Sequence, residues 1–304
     1  MDSDAAGKSE LTRMNTNLQP FSCEHRRRTV RKIIAAIPLY AVLFILAALF
    51  LLPFYLILRN ALMPDRQITA FEWHWLPKPV LWSNFHELFK DSDASMRTGL
   101  VNSSIVAVVT TSAQLLFSSM AGYALARISV RGSTVVFGII VSTLMVPTTV
   151  TFVPTYAVVA ALGGINTFWG IIAPCIFNGF ATLLFRQCYL DFPVEMEEAG
   201  RLDGLGYFGI YWHLLLPNSK NIFAALGAMA FVGSWNGFLW PLVIGQDESK
   251  WTVQVVVSTF MASQSVRLGP LFMAAAVAMA PPVLVFFVLQ RFIIQGTKAS
   301  GAKD

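Results

Sequence analysis

Six long apolar runs separated by short polar stretches set the pattern of this chain, at roughly 33–58, 100–125, 134–157, 165–186, 219–244 and 270–294. A helix needs roughly 20 mostly apolar residues to cross about 30 Å of hydrocarbon, so each run predicts one spanning helix. The second run is the least apolar, holding Asn102, Ser103, Ser104, Thr110, Thr111, Ser112 and Gln114. That polarity predicts a helix facing other helices rather than lipid. Pro38, Pro53, Pro147, Pro154, Pro174, Pro241, Pro281 and Pro282 fall inside the runs and predict kinks, with ordinary kinking preferred over gating hinges.

Composition agrees with the pattern. Of 304 residues, 55% are hydrophobic and 13% charged, too little polar surface to coat a soluble globule of this size. The expected class is an all-α polytopic membrane protein. The net charge of +5 comes from basic residues beside apolar runs, which suits anionic lipid headgroups and argues against nucleic acid. Arg26 to Lys32, Arg127, Arg131, Arg186, Arg201, Lys220, Arg291, Lys298 and Lys303 fall on one side of the predicted spans. Basic loops are cytoplasmic, so both termini are expected there. The expected layout is a flexible tail at 1–32, a transmembrane domain at 33–294 and a second tail at 295–304, with no cleaved leader. Cys23, Cys175 and Cys188 lack paired spacing and read as free thiols.

Catalytic chemistry is hard to find. Ala6-Gly7-Lys8-Ser9 ends like a phosphate-binding loop, but the first glycine of that motif would fall at Asp2. His25, His74, His86 and His213 are scattered without metal-ligand spacing. Glu197 and Glu198 diverge by about 100° on a helix and cannot converge on one substrate. No run carries an acid near its centre, where proton relays and many ion-coupled carriers place one. The chain is expected to be no enzyme and to draw its driving force from elsewhere, with an ion-coupled carrier kept as the alternative.

One segment does not fit a membrane span. Residues 191–217, between the fourth and fifth runs, read as two short helices joined by a turn. Asp191, Pro193, Glu195, Glu197 and Glu198 suit the start of the first, Glu197 and Arg201 can pair at i,i+4, and Asp203-Gly204 makes the stop. Phe208, Tyr211, Trp212 and Leu215 keep helical spacing in the second, which Pro217 is expected to end. Small residues at Ala199 and Gly200, flanked by acids, suit a docking contact better than a membrane-lying helix, which would be basic.

This segment resembles the EAA loop of ABC importer permeases, with Glu198-Ala199-Gly200, then Gly204, then Leu214-Leu215-Leu216-Pro217 at the family's spacing. Gly200 stands for the second alanine and Leu214 for isoleucine. The blocks at 121–132 (AGYALARISVRG), 146–156, 233–244 and 289–304 are similar to the carbohydrate branch of that family, the permeases like the maltose system's second. The resemblance implies a type I importer fold of about six spans in a bacterial inner membrane. It also implies a second permease, two ATPase subunits that bind ATP and magnesium, and an external solute-binding protein. This chain itself would hold no cofactor or metal. Glu198, Ala199, Gly200, Arg201, Asp203, Gly204 and Pro217 would couple ATPase closure to the pore.

For the solute path, Trp235, Asn236, Asn178 and Gln114 are the polar and aromatic candidates within the runs. Intramembrane amides also bond neighbouring helices, and Gly233 with Gly237 reads as a packing pair. Residues 71–91 read as an aromatic belt with a short amphipathic helix, or, with 245–269 and its Asp247, Glu248 and Lys250, as a seat for the binding protein. A neutral oligosaccharide is the default solute; an acidic oligosaccharide or a glycerol-phosphate ester stays open.

Overall fold

A computed structural model describes residues 21–90, 96–128, 131–262 and 267–300, and among these every regular element is helical. The expectations placed on 1–20 and 301–304, including Ala6 to Ser9, lie outside the described residues. α1 (Phe21–Ala61) starts well inside the stretch expected to be a tail, and α14 (Leu268–Ser300) runs past the expected end of the last span. Pro53 is accommodated within α1, and Pro281 and Pro282 within α14. Among the described residues, those from Phe21 to Leu56 belong to one unit and those from Ile57 onward to a second. In the first unit, side chains 37–54 are all exposed and almost all apolar, the surface of a helix made for lipid or for another membrane helix.

Among the described residues, three helices are long and apolar enough to cross a membrane singly: Ile37–Ala61, α4 (Met96–Arg127) and Leu268–Phe292 within α14. Two more spans arise if bent pairs are joined. The run at 134–157 is α5 (Ser133–Thr143) and α6 (Thr148–Ala161), which turn by 102° across 144–147. Pro147 supplies the extended backbone of that break, a change of direction that an unbroken apolar run does not reveal. The fourth run is α7 (Phe168–Cys175) and α8 (Gly179–Leu190), bent by 44°. Thr167 and Asn178 cap them, their side-chain oxygens accepting from the Gly170 and Ala181 amides.

The run at 219–244 is also broken. α11 (Lys220–Trp235) stops after 16 residues and α12 (Leu239–Ile244) follows. The stretch 245–269, expected to be a loop, holds α13 (Val253–Ala262), whose Val253, Val255 and Val256 are buried. Two short elements, α2 (Asp65–Ile68) and α3 (Ser83–Leu88), occupy the long loop after α1. The second of these is the expected helix of 71–91, and Phe71, Trp73, Trp75 and Trp82 beside it are exposed.

α4 lies at the centre of the second unit and packs on α8, α11 and α13. Its polarity serves those contacts. The Asn102 amide donates to the Ser249 and Trp251 carbonyls at 2.9 Å each, Ser103 accepts from the Val253 amide at 2.8 Å, and Ser118 donates to the Asn178 carbonyl. Gly122 lets α8 approach closely, since a Cβ there would stand 2.7 Å from Phe185 Cβ and 2.8 Å from the Arg186 amide nitrogen.

Candidate functional site

The segment at 191–217 folds as a helical hairpin. α9 (Val194–Leu202) follows Pro193, ends at Asp203, and is turned by Gly204, whose φ of +85° lies in the left-handed region that glycine adopts without strain. α10 (207–218) is helical throughout but changes pitch: Tyr207–Ile210 is α, Tyr211–Leu215 is a π turn, and Leu216–Asn218 is α again. Pro217 therefore does not end the helix. A proline lacks a donor and crowds the carbonyl four residues back, and the widened turn, with the Leu216 amide on the Tyr211 carbonyl, relieves that crowding. The Asn218 amide and Ser219 hydroxyl donate to the Leu214 and Leu215 carbonyls at 2.7 and 2.6 Å, satisfying acceptors around the proline.

α10 is seated by apolar and aromatic burial. Ile210, Tyr211 and Leu215 are at most 2% exposed and join Tyr123, Phe185, Tyr189 and Leu226 in one cluster. Tyr123 stacks on Tyr211 at 5.9 Å, and the Tyr211 hydroxyl bonds that of Ser119 at 2.7 Å. Burial pushes the Tyr211 phenol above its ordinary range, and the Ser119 bond draws it partly back. On the opposite side of the hairpin, Leu202, Phe208 and Trp212 are exposed, as are Glu198, Ala199, Arg201, Asp203 and Gly204. Arg201 lies over the Tyr207 ring at 5.3 Å. Gly200 is buried, and a Cβ on it would stand 2.8 Å from Leu214 Cδ1.

Glu197 was expected only to pair with Arg201, whose Nη2 lies 4.0 Å from its Oε2. Its nearer partner is Arg127 at the end of α4, with Nε 3.2 Å from Oε1. The Arg127 guanidinium also donates to the carbonyls of Tyr189, Leu190 and Phe192, at and just beyond the end of α8. Sequence spacing could not point to this pair, because its members lie in different segments; the one available signal was the arginine at 127 within the block at 121–132.

A cavity of about 310 Å³ opens between α4, α7, α8, α11 and α12. Gln114 and Asn178 line it, and each spends half of its amide on the fold. Gln114 Nε2 donates to the Cys175 carbonyl and Asn178 Oδ1 accepts from the Ala181 amide, leaving the Gln114 oxygen and the Asn178 nitrogen for the cavity. Ser234 and Trp240 line it as well, and no charged side chain does so among the described residues. Trp240 is held by a bond from Nε1 to the Ile171 carbonyl at 3.2 Å.

Two sequence candidates lie elsewhere. Trp235 is 1% exposed, stacks on Phe231 and donates to the Ala278 carbonyl at 2.9 Å, so it is a core residue that cannot touch a solute. Asn236 is exposed beyond the end of α11 and accepts from Gln254 at 3.2 Å. Gly233 and Gly237 both line the cavity; no side chain packs on Gly233, so they form no helix seam. Trp240 follows Gly233 and Gly237 at helical spacing on the cavity wall, a signal that the run did carry, whereas Trp235 lies about 140° round the helix from it.

Comparison with known proteins gives a consistent answer. Residues 114–299 match the family described as binding-protein-dependent transport system inner membrane component. The chain is 30% identical to the sn-glycerol-3-phosphate transport system permease protein of Yersinia enterocolitica, over 84% of this chain and 94% of that one. It is 30% identical to the lactose transport system permease protein of Rhizobium radiobacter, over 90% and 98%, and 28% identical to the arabinooligosaccharides transport system permease protein of Bacillus subtilis, over 85% and 92%. Its fold matches a chain of a bacterial ABC transporter involved in the import of the acidic polysaccharide alginate, with a TM-score of 0.75, 22% identity, and 86% and 97% of the two chains covered. A match that runs through both the hairpin and the cavity-lining helices, joined by relatives aligned over nearly their whole length, leaves one assignment: the chain belongs to the family of inner membrane components of binding-protein-dependent transport systems.

Proposed function

We propose that this chain is a permease subunit of an ATP-driven importer for an uncharged saccharide. It works beside a second, non-identical permease, with two ATPase subunits carrying ATP and magnesium at the cytoplasmic face and a solute-binding protein at the other. The carrying observation is the hairpin: an exposed apolar and acidic face on one side, and a buried fastening to the spanning helices on the other. An exposed set such as Leu202, Phe208 and Trp212 on a polar segment calls for a covering protein. Glu198, Ala199, Arg201, Asp203 and Gly204 present that face, while Gly200 and Pro217 shape the hairpin behind it. The basic residues at this end favour the cytoplasm, with both termini on the same side. On this reading the domain runs from 33 to 294, with the hairpin as its coupling element and short tails at either end.

The neutral solute is favoured by the cavity. Its unspent groups are the Gln114 oxygen, the Asn178 nitrogen and the Ser234 hydroxyl, beside the Trp240 indole. Uncharged donors and acceptors beside an aromatic face suit hydroxyls and sugar rings, whereas a phosphate or uronate would enter without a cation. Three relatives, named for arabinooligosaccharides, lactose and sn-glycerol-3-phosphate, frame the choice.

The test is reconstitution in proteoliposomes with the second permease, the ATPase subunits and the binding protein, measuring uptake of labelled lactose, an arabino-oligosaccharide and glycerol 3-phosphate. ATP-dependent uptake of a neutral sugar is expected, reduced about ten-fold by Gln114→Leu if one solute hydrogen bond and a desolvated amide are lost. Uptake by this chain alone under an ion gradient, or a native membrane complex without an ATPase subunit, would overturn the reading.

A further inference from the structure

α9 presents a mechanical problem. Among its nine residues only Glu197 and Gly200 are buried, and none of its apolar side chains enters the cluster that seats α10. Val194, Met196 and Leu202 all point outward, with Leu202 90% exposed. A helix that takes force on its outer face yet has no apolar grip on its inner face would rock about the Gly204 turn instead of passing displacement onward.

Glu197 supplies the grip. Its side chain is 4% exposed and meets Arg127, itself 10% exposed, with Arg201 as the more distant cation on its other oxygen. Arg127 does not belong to the hairpin. It closes α4 and, through the same guanidinium, holds the carbonyls of Tyr189, Leu190 and Phe192, so a single side chain joins α4, the end of α8 and α9. α4 and α8 are already one block, since Gly122 brings their backbones together and leaves no room for even a methyl group. Asn178 and Gln114 stand further along α8 and α4, on the wall of the cavity.

We propose that the Arg127–Glu197 ion pair is the fastening through which motion of α9 reaches the cavity-lining pair α4 and α8, with Arg127 and Glu197 as positioning residues. This rests on the reading of the hairpin as the coupling element. α10 sets where the hairpin sits; the ion pair fixes α9 to the block that must move. The hold is one of charge: the Nε–H is donated to the Tyr189 carbonyl and Glu197 Oε1 accepts no hydrogen bond, so the buried carboxylate depends on a cation that three carbonyl partners keep in place. Without the pair, the ATPase would still bind the exposed face, and its closure would be spent in bending the hairpin.

The experiment uses the full reconstituted complex and reads solute moved per ATP hydrolysed, normalised to assembled complex. Glu197→Gln keeps side-chain size and leaves Arg127 on its carbonyls. It is expected to retain bound ATPase subunits while lowering the ratio about ten-fold, because a small misplacement of a coupling element is amplified at the site it serves. Glu197→Asp, which keeps the charge on a shorter arm, should fall between. If Glu197→Gln yields no complex, Arg127→Lys is read instead: an ammonium still faces Glu197 but the fork onto the carbonyls is lost, so the ratio should fall several-fold while the ATPase subunits stay bound. A normal ratio in Glu197→Gln, or in Arg127→Lys, overturns the fastening. An unmodified complex that retains no ATPase would instead defeat the coupling reading itself, so the two failures are distinct.

Discussion

The two helices of the hairpin are neighbours in sequence and are held by different forces. α10 lays Ile210, Tyr211 and Leu215 into an apolar and aromatic cluster, whereas α9 is tied by one buried carboxylate and one glycine contact. Apolar burial is spread over many contacts and tolerates small shifts in angle; the ion pair draws one buried carboxylate oxygen, which accepts no hydrogen bond, toward one anchored guanidinium. The contrast divides the labour: α10 determines that the hairpin exists, and α9 determines that force on it has a direction. Mutations that break α10 should therefore abolish the complex, and those that break α9 should leave it assembled and idle.

The largest effect is expected at the seat. Ile210→Ala removes a fully buried side chain and leaves a cavity under α10, which costs about 2–5 kcal/mol. Thermal unfolding in detergent should show the loss, and limited proteolysis should cut within 194–218 before the spanning helices are lost. A variant of normal stability would mean that the aromatic cluster does not seat α10. Gly204→Ala comes next. No atom lies within 4 Å of the added Cβ, so the cost is that of a positive φ alone, about 1–2 kcal/mol. Because the turn governs the angle of α9, solute moved per ATP should fall more than the thermal midpoint does.

Tyr211→Phe tests the polar part of the seat. It removes the bond to Ser119, but Ser119 keeps its bond to the Leu116 carbonyl, so no buried group is orphaned and the loss should be about 0.5–1 kcal/mol. The phenol titrates higher in the folded protein than in the unfolded chain, so its contribution is complete below the ordinary tyrosine value of about 10 and is lost as pH rises through the raised one. Stability of the parent should be flat in this respect from pH 7 to about 9 and decline above that, and the phenylalanine variant should show a shallower decline. An equal slope in both would detach Tyr211 from the alkaline loss.

The hairpin's existence was legible because its signals are local. An acid-rich helix start, the Asp203-Gly204 stop and the spacing of Phe208, Tyr211 and Trp212 each act within a few residues, and the structure has both helices where they point. What escaped depends on partners far along the chain. Arg127 and Glu197 meet across helices that are far apart in sequence, α4 and α8 being packed closely at Gly122, and nothing near Glu197 distinguishes it from the exposed Glu198 beside it. Hydropathy likewise could not reveal the 102° turn between α5 and α6, since apolar residues continue on both sides of it. Trp235 and Trp240 sit in one apolar run about 140° apart on a helix, and which of the two faces meets the core and which the cavity is decided by helices far along the chain. The polar face of α4 was readable in kind, because buried amides and hydroxyls in a span must find partners, but which partners they find is a property of the packed helices.

The smallest effect is the most pointed test of how α9 is held. Gly200→Ala restores the residue that the EAA pattern carries, and an interior alanine should favour the helix by about 0.5–1 kcal/mol over glycine. The new Cβ would stand 2.8 Å from Leu214 Cδ1, which is too close, but that atom is the end of a flexible side chain on a half-buried residue and can turn aside. Backbone and amide atoms are not in the way, so the repacking cost should be similar in size to the gain, and stability should change by less than about 1 kcal/mol. Transport should respond in only one circumstance. If α9 is fastened by Glu197, a slight shift at Gly200 leaves the ion pair and the solute-per-ATP ratio unchanged; if Gly200 against Leu214 were the true grip, the ratio would fall although the protein stayed equally stable. Measuring both quantities on this one variant separates the two ways in which a short polar helix can be held to a membrane domain.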